Sequence, residues 1–362
     1  MIEKYYSGVI EQIYNRIGKE TRNIVMANYS NDFSIENLEV IRRYQSNEDN
    51  VFFAYSEFSY NTLVGAYEPF LDIICNMHRR FIGGSFDEFQ KECGVYYLHR
   101  QVLNSYYETG ECFREETVLL NEVAYEQRRM TMVIADMLKK LSEVKPLMIV
   151  INRFQMASKS SIETIKYLID NPCANIGIVL GVNAIVKGTD STVEVWDRIV
   201  ESLEDRSAIY YIGSAGPLKN NVKTTNDDEL YITMNFEQSI QEASNIMEFL
   251  DFEQARRGCR IIEHKLKFED AWIDEKSLRR FYMVYARTSV LLGEMSKAIE
   301  LTNEYKALIP ENDSEHYLSL YYFMKGTCYM YQGKLEKAGN SAKSAYDYAV
   351  LAEDDTLIFK AE

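Results

Sequence analysis

The hydrophobic positions in the first two thirds of this chain form short unbroken runs that alternate with helical patterns. Five apolar residues occupy 147–151, a run too short to cross a membrane and β-branched enough for a strand buried on both faces. Similar strand-like runs lie at 23–27, 51–55, 175–181 and 207–212. Strands that alternate with helices predict a mostly parallel, doubly wound α/β sheet over about residues 20–215.

The run at 147–151 leads into a polar tip and then into a helix. The tip is Asn152-Arg153, and Ser160 with Glu163 three residues later forms a capping box before an amphipathic stretch. A buried strand, a polar tip and a capped helix make the half-unit of a nucleotide-binding sheet, which keeps its catalytic acids at such a tip. We therefore expect this strand to be the centre of the sheet, beside the loop after the first strand. Neither tip residue is an acid.

The chain beyond the polar segment 219–229 is helical and repetitive. A charged or polar pair followed by alanine recurs at Ala255, Ala298 and Ala338, which lie 43 and 40 residues apart. The last unit has the small-and-aromatic spacing of a tetratricopeptide repeat, carried by Gly326, Tyr329, Ala338, Ala342 and Ala345. Three such units predict a short superhelix of paired helices.

Composition and charge narrow the classes of partner. Hydrophobic residues are 46% and aromatic residues 13% of the chain, which predicts folded domains. The formal net charge of -15 argues against a nucleic-acid surface in these residues and against binding to an anionic membrane. No apolar run approaches the roughly 18 residues of a membrane span, and the N-terminus lacks the pattern of a signal peptide. The six scattered cysteines fit reduced thiols, so we expect a cytoplasmic protein.

One motif carries a resemblance to a known family. The residues Phe154-Gln155-Met156-Ala157-Ser158, followed by Ser160-Ser161-Ile162-Glu163, resemble the second nucleotide motif of large bacterial signal-transduction ATPases, which include the maltose-activator-type transcription regulators. That family also places tetratricopeptide-like repeats after its ATPase module. The resemblance covers most of the chain and implies an α/β P-loop-NTPase-like parallel sheet domain followed by an all-α tetratricopeptide-like superhelix. We accordingly expect a degenerate ATPase-like domain over 1–225 and helical repeats over 226–362.

The resemblance also implies a longer protein. Residues 356–362 have the pattern of the start of another helix, so we expect the sequence to be truncated at its C-terminus. An effector domain would then follow Glu362, such as a DNA-binding helix-turn-helix or another signalling output.

The first nucleotide motif departs from the family pattern at the positions that bind phosphate. A phosphate-binding loop needs Gly for close backbone approach, Lys for the phosphates and Ser or Thr for magnesium. Aligned after the first strand, Ala27 stands for the first Gly, Asp32 for the second and Phe33 for the Lys. Only Ser34 keeps the residue type of the motif.

The second motif departs in the same direction. Asn152 and Arg153 replace the acids that hold magnesium and orient water, and Gln155 follows them. We interpret these positions as a vestigial nucleotide pocket with no catalytic residue, no metal and no cofactor, formed by Ala27, Asp32, Phe33, Ser34, Asn152, Arg153 and Gln155. An α/β domain whose turns never bound nucleotide explains the same departures. The two interpretations differ on whether a cavity remains at the strand ends, where Arg153 could meet an anion.

Two cysteine–histidine pairs are alternative candidates for chemistry. Cys75 with His78 and Cys93 with His99 resemble parts of a zinc set or a nucleophile pair. The first pair lies on an apolar helical pattern and no local motif supports the second, so core packing is the better interpretation of both.

The predicted function is that of a non-catalytic regulatory or signal-transduction protein, part of a bacterial transcription regulator that acts by protein or ligand binding. Protein partners would bind the repeats, with Tyr322, Tyr329 and Tyr331 as groove candidates, while a small-molecule effector and a homo-oligomer stay open. One alternative is a nucleotide-dependent ATPase switch that retains ATP binding through non-standard contacts. Another is a scaffold without any ligand.

Overall fold

The computed structural model describes residues 2–29, 38–46, 50–59, 63–114, 120–183, 193–213, 215, 235–268, 273–312 and 314–361. The chain divides into two compact units. The first comprises Met1–Arg100 with Arg128–Tyr231, and the second comprises Gln101–Gln127 with Ile232–Glu362. Within the described parts of the chain, no helix combines the length and the apolar character needed to span a bilayer.

The first unit is built on a five-stranded sheet in which every strand pair is parallel. The strands are β1 Ile24–Tyr29, β2 Phe52–Glu57, β3 Leu147–Asn152, β4 Ile176–Asn183 and β5 Ile209–Ile212. The predicted parallel α/β sheet is therefore confirmed. The expectation that the third strand lies at the centre is wrong, because the strand order is β2-β3-β4-β1-β5 and β4 occupies the middle.

Helices connect these strands and enclose the sheet. Those of the first unit are α1 Ile2–Arg16, α2 Glu39–Ser46, α3 Phe70–Met77, α4 Phe86–Glu92, α7 Lys159–Asp170 and α8 Val193–Glu204, while α5 Tyr97–Thr109 and α6 Val123–Val144 each contain a division between the units. A π-helical turn, His78–Ile82, extends α3. Every residue of β3 and β4 is buried, so both faces of the central strands are covered, as their unbroken hydrophobicity predicts.

The apolar stripe of α1 packs on one face of the sheet. Tyr6, Ile10 and Ile13 join one core cluster with alternate residues of the strands, because successive strand side chains point to opposite faces. The helix lies unusually close to β4. A Cβ atom added at Gly177 would lie 2.9 Å from side-chain atoms of Ile17, so this strand carries glycine beneath α1.

The connection from β3 to α7 differs in one detail from the sequence prediction. The N-cap of α7 is Ser158, whose hydroxyl accepts the N–H of Ser161, and Ser160 lies inside the helix. Ser160 instead accepts the backbone N–H of Tyr67 at 3.0 Å. The predicted capping box at Ser160 and Glu163 is therefore wrong, because the first serine of the run caps the helix and the second binds a neighbouring loop.

The second unit is a series of paired helices. They are α9 Phe236–Glu248, α10 Phe252–Phe268, α11 Glu275–Leu291, α12 Met295–Ala307, α13 Glu315–Tyr331, α14 Leu335–Leu351 and α15 Asp355–Ala361. The first helices of successive pairs begin at residues 236, 275, 315 and 355, which are 39, 40 and 40 residues apart. The three recurring alanine motifs each fall in the first turn of a second helix, α10, α12 or α14. A helical C-terminal region is thus confirmed, and its assignment to tetratricopeptide repeats stays a prediction.

Small residues set the spacing within the last complete pair. A Cβ atom at Gly326 of α13 would lie 3.3 Å from Cβ of Ser341 and 3.5 Å from the carbonyl oxygen of Ala338, both on α14. The backbones of these two helices can approach only because position 326 has no side chain.

Residues 101–127 belong to the helical unit although they precede β3 in the chain. The sequence prediction of a single boundary at 225/226 does not include this excursion. The polar segment 219–229 on which that boundary was based lies outside the described residues.

Candidate functional site

The carboxyl ends of the parallel strands meet at one edge of the sheet, where ligands of such sheets bind. The residues at these ends are Tyr29, Glu57, Asn152, Asn183 and Ile212. Of the predicted pocket residues, Ala27, Asn152, Arg153 and Gln155 are described, while Asp32, Phe33 and Ser34 lie outside the described residues. The four described residues lie in β1 or at and just after the end of β3.

Ala27 lies inside a strand and not at the start of a loop. It is fully buried, pairs with Gly181 of β4 and belongs to the core beneath α1. The strand continues to Tyr29, two residues further than the sequence predicts, because the phenol ring of Tyr29 is itself a buried core side chain. The polar appearance of Asn28-Tyr29 had suggested a loop.

Asn152, at the position of the first acid of the second nucleotide motif, is fully buried. Its Oδ1 accepts a hydrogen bond of 2.6 Å from the hydroxyl of Tyr29. Since β4 lies between β1 and β3, this bond passes over a strand, and it does so at Gly181. A Cβ atom there would lie 2.8 Å from Asn152 Oδ1 and 2.4 Å from the Tyr6 hydroxyl. The position is therefore closed by protein groups.

Arg153, which aligns with the second acid of the predicted nucleotide motif, forms an ion pair with a residue of the neighbouring strand β2. Its backbone is left-handed with φ 52°, and its Nη1 lies 3.1 Å from Oε1 of Glu57 at the end of β2. Tyr55 donates its hydroxyl to the other oxygen, Oε2, of Glu57. Arg153 Nη1 also donates to the carbonyl of Phe58 at 3.4 Å. Both charges are thus neutralised within the protein.

The buried hydroxyl of Tyr6 adds no charge to this region. Burial raises the pKa of Tyr6 well above its ordinary value, and the neighbouring Tyr29, Tyr55 and Glu57 act in the same direction. The rings of Tyr6 and Tyr29 meet edge to face, with centroids 6.3 Å apart. At neutral pH the Tyr6 hydroxyl therefore stays protonated.

Gln155 lies on the other side of the β3 tip, in the short 3₁₀ helix Phe154–Met156. Its Oε1 accepts the backbone N–H of Asn183, the last residue of β4, at 3.3 Å. Its Nε2 is buried without a hydrogen-bond partner among the described residues. Phe154 beside it packs edge to face on Trp196, with centroids 5.5 Å apart. Gln155 therefore joins the end of β3 to the last residue of β4, which pairs with Tyr29 of β1 in the sheet.

The three tyrosines predicted as groove candidates all lie on α13, and each has different neighbours. Tyr322 stacks on Tyr348 with centroids 5.6 Å apart, and Tyr329 lies beneath the ammonium group of Lys334 at 5.9 Å. The hydroxyl of Tyr331 accepts the backbone N–H of Leu120 at 2.9 Å. The third candidate thus already contacts another segment of the chain.

The cysteine–histidine pairs show no sign of nucleophilic chemistry. Burial raises the pKa of Cys75 to about 12 and that of Cys93 to about 11, so both thiols are protonated at neutral pH. Among the described residues, no three His, Cys, Asp or Glu side chains are grouped so that they could hold a metal ion.

The sequence reasoning missed most of the residues that close the strand ends. They are Tyr6, Tyr29, Tyr55, Glu57 and Gly181. One signal was present, because a glycine inside a hydrophobic strand indicates close approach of another group. The identity of that group could not be predicted without the strand order.

Comparison of the chain with known protein families, with curated proteins and with solved structures finds no match.

Proposed function

We propose that this protein is a non-catalytic regulatory protein. In it, an α/β domain of the signal-transduction ATPase type has lost its hydrolytic site, and a helical repeat unit acts by binding protein partners. The observation that carries the proposal is the hydrogen bond of 2.6 Å between Tyr29 and Asn152. It occupies the position at which an ATPase of this type would present a metal-binding acid.

The electrostatics at the end of β3 argue against hydrolysis. A carboxylate about 4 Å from a cation contributes roughly 4 kcal/mol at an effective dielectric constant of 20, and this attraction is what holds magnesium at such a tip. The Asn152 amide carries no charge, and its oxygen already accepts from Tyr29. Arg153 follows as a cation, and Glu57 is the acid that pairs with it. The carboxylate of Glu57 is thus already paired with an arginine.

The regulatory part of the proposal rests on the helical unit and on the family resemblance. Pairs of helices repeated every 39 or 40 residues create an extended surface, which is the usual binding device of repeat proteins. By resemblance to the maltose-activator-type regulators, the output of such a protein would be a change in transcription. In this arrangement the α/β domain serves as a scaffold for the interaction.

A nucleotide titration tests the proposal. Isothermal titration of the full chain with ATP and magnesium should give no binding tighter than about 100 µM, and phosphate release should equal that of buffer. ATP binding below that value that is lost in Ser34→Ala would replace the proposal by the nucleotide-switch alternative. A matched variant, Ser30→Ala, changes a serine at one of the unspecified positions of the same motif, where no particular side chain is needed, and controls for unspecific effects.

A further inference from the structure

Residues 111–114, between α5 and α6, lie on the helical unit as an extended segment without helix or strand assignment. Their burial alternates along the chain. Cys112 is 9% exposed and Arg114 4%, while Phe113 between them is 55% exposed and Glu111 also faces solvent. Alternation of this kind is typical of an extended peptide that lies on a surface with every second side chain inward.

The side-chain amide of Asn245 in α9 binds the main chain of this segment in both directions. Its Oδ1 accepts the N–H of Cys112 at 2.9 Å, and its Nδ2 donates to the carbonyl of Gly110 at 3.0 Å. Both contacts are to backbone atoms, so they do not depend on which side chains the bound segment carries. An asparagine placed in this way recognises extended backbone as such.

The orientation of Asn245 is set by the helices themselves. Gln241, one turn earlier in α9, donates its Nε2 to Asn245 Oδ1 at 2.9 Å. Arg280 of α11 donates in turn to Oε1 of Gln241. Because these contacts do not involve the bound segment, the amide stays oriented for a peptide when the segment is absent.

Arg114 is the one side chain of the segment that the helices recognise through its charge. Its Nη2 donates to the backbone carbonyl of Glu248 at 2.9 Å, and its Nε lies 3.8 Å from Oε2 of the Glu248 carboxylate. Nη1 of Arg287 in α11 lies 2.8 Å from the other oxygen of Glu248. Glu248 therefore lies between two arginines, one from the segment and one from the repeats.

Apart from the hydroxyls of Ser105 and Thr109 in α5, which bind the main chain of Glu111, the contacts of the segment come from one surface of two successive first helices. In α9 the residues of this surface are spaced by four and three residues, and in α11 by seven, so each set faces one side of its helix. We call this surface the α9–α11 polar face, and its residues are Gln241, Asn245, Glu248, Arg280 and Arg287. Further along the same chain, Leu120 contacts Tyr331 of α13, the first helix of the next pair.

The guanidinium group of Arg114 does not form all the hydrogen bonds that it could form. Nε and Nη1 of Arg114 have no hydrogen-bond partner among the described residues, although burial is nearly complete and lowers the pKa of the guanidinium. A buried cation that lacks part of its hydrogen bonds costs free energy, and the parallel two-bond pairing of guanidinium with carboxylate is not formed. A separate peptide that pairs with Glu248 through both nitrogens would bind better at this point.

We propose that the α9–α11 polar face is a peptide-binding site that residues 110–114 occupy in cis. Its partner is an extended protein segment that carries an arginine two residues after the N–H donor to Asn245. The inference rests on the proposed function only in that it locates where the helical unit binds a protein. A partner segment of this chemistry displaces residues 110–114, so the cis contact keeps the site closed until the partner arrives.

A competition experiment on the full chain tests this. The probe is a fluorescein-labelled peptide with the sequence of residues 108–116, Glu-Thr-Gly-Glu-Cys-Phe-Arg-Glu-Glu, titrated under reducing conditions by fluorescence anisotropy. Arg114→Ala should bind the peptide about tenfold more tightly than the wild-type chain, because the competing cis arginine is gone. The double variant Arg114→Ala/Asn245→Ala should bind the peptide at least about tenfold more weakly than Arg114→Ala alone. A peptide with alanine in place of its arginine should bind at least about tenfold more weakly.

Controls keep the outcomes distinct. Arg198→Ala removes an exposed arginine that pairs with Glu163 in the other unit and should leave peptide binding at the wild-type level. Absence of binding to a folded Arg114→Ala chain, or equal binding of the peptide without arginine, would overturn the proposal. If the wild-type chain is a dimer and the Arg114→Ala chain is a monomer, the site binds a second copy of this chain. That result would overturn the proposal that its partner is a segment of another protein.

A second measurement serves if Arg114→Ala does not fold. In the wild-type chain, hydrogen exchange at the Cys112 amide should become at least about tenfold faster in saturating unlabelled peptide, because the bond to Asn245 is released. Unchanged exchange would contradict displacement. Hydrolysis of ATP would refute the proposed function without changing either peptide experiment, so the two can fail separately.

Discussion

The hydroxyl of Tyr29 and the side-chain oxygen of Asn152 lie 2.6 Å apart, although the strands that carry them are not neighbours. The contact passes over Gly181 of the intervening strand. One buried amide, one phenol and one missing side chain thus meet where the carboxyl ends of β1, β3 and β4 lie side by side. Each of the three can be changed separately.

Tyr29→Phe should lower the free energy of unfolding of the α/β unit by about 1–3 kcal/mol, because Asn152 Oδ1 then loses the donor at 2.6 Å while buried. The chain has two tryptophans, and Trp196 packs in this unit. Urea unfolding followed by Trp196 fluorescence in a Trp272→Phe background therefore measures the effect.

A control variant and a double variant show whether the Tyr29–Asn152 hydrogen bond causes that loss of stability. Tyr5→Phe removes a hydroxyl from a ring that is largely exposed on the same helix as Tyr6, and it should change stability by less than about 0.5 kcal/mol. Tyr29→Phe combined with Asn152→Leu should cost less than the sum of the single changes, since the donor and the buried acceptor of this hydrogen bond are then removed together. Additive costs would show that the two groups do not interact.

Gly181→Ala should destabilise the same unit by about 1–3 kcal/mol, because the added methyl group would lie 2.4 Å from the Tyr6 hydroxyl and must displace it. Gly8→Ala is the matched control. Gly8 lies exposed in α1 with no atom within 4 Å of an added Cβ, so alanine should stabilise the helix by about 0.5–1 kcal/mol. Opposite signs from the same substitution, read by urea unfolding, are the expected result. If Gly181→Ala has the same free energy of unfolding as the wild-type chain, Tyr6 of α1 does not pack closely on β4.

The strands could be predicted from the sequence because each is a short apolar run between polar stretches, and β3 is the clearest case. Their order could not, since periodicity along the chain says nothing about which strands pair. The prediction therefore placed β3 at the centre, where β4 lies. The excursion of residues 101–127 was missed for a related reason. The helical pattern of α5 and α6 continues without interruption through the positions at which the chain passes from one unit to the other.

The absence of acidic residues at the β3 tip was evident from the sequence at Asn152 and Arg153. The groups that contact these two residues were not, because Tyr29 and Glu57 come from other strands and reach them only through the sheet register. Residues with ambiguous patterns also misled the prediction of local structure. Tyr29 is a strand residue whose neighbour Asn28 suggests a turn, and the cap of α7 is the first of three serines that all fit the role.

Glu68 predicts a pH dependence of stability. Burial raises the pKa of its carboxyl, the Gly65 N–H opposes this at 2.9 Å from Oε2, and the charge of Asp72 raises the pKa further. A carboxyl whose pKa is higher in the folded state contributes stability at acidic pH and loses it as pH rises through that pKa. Glu68→Gln keeps an oxygen for Gly65 and cannot ionise. It should be more stable than the wild-type chain at neutral pH, and the difference should vanish below about pH 4.

That comparison needs urea unfolding at several pH values, with Glu201→Gln as an exposed control on α8. The control should follow the wild-type profile. A Glu68→Gln chain that is less stable than wild type at neutral pH would show that the charged carboxylate is favourable in the fold, contrary to the expected sign.

Gly326→Leu tests whether close packing of α13 on α14 stabilises the helical unit. The added side chain would meet Cβ of Ser341 at 3.3 Å and the Ala338 carbonyl at 3.5 Å, so the helices must separate, and a loss of about 1–3 kcal/mol is expected. Gly339→Ala lies on α14 with nothing within 4 Å of its added Cβ and should instead gain about 0.5–1 kcal/mol from helix propensity. Far-UV circular dichroism in urea measures both. If Gly326→Leu is as stable as Gly339→Ala, the pair of helices does not depend on a small residue at this crossing, and the alanine-and-glycine spacing loses its structural meaning as a repeat signature.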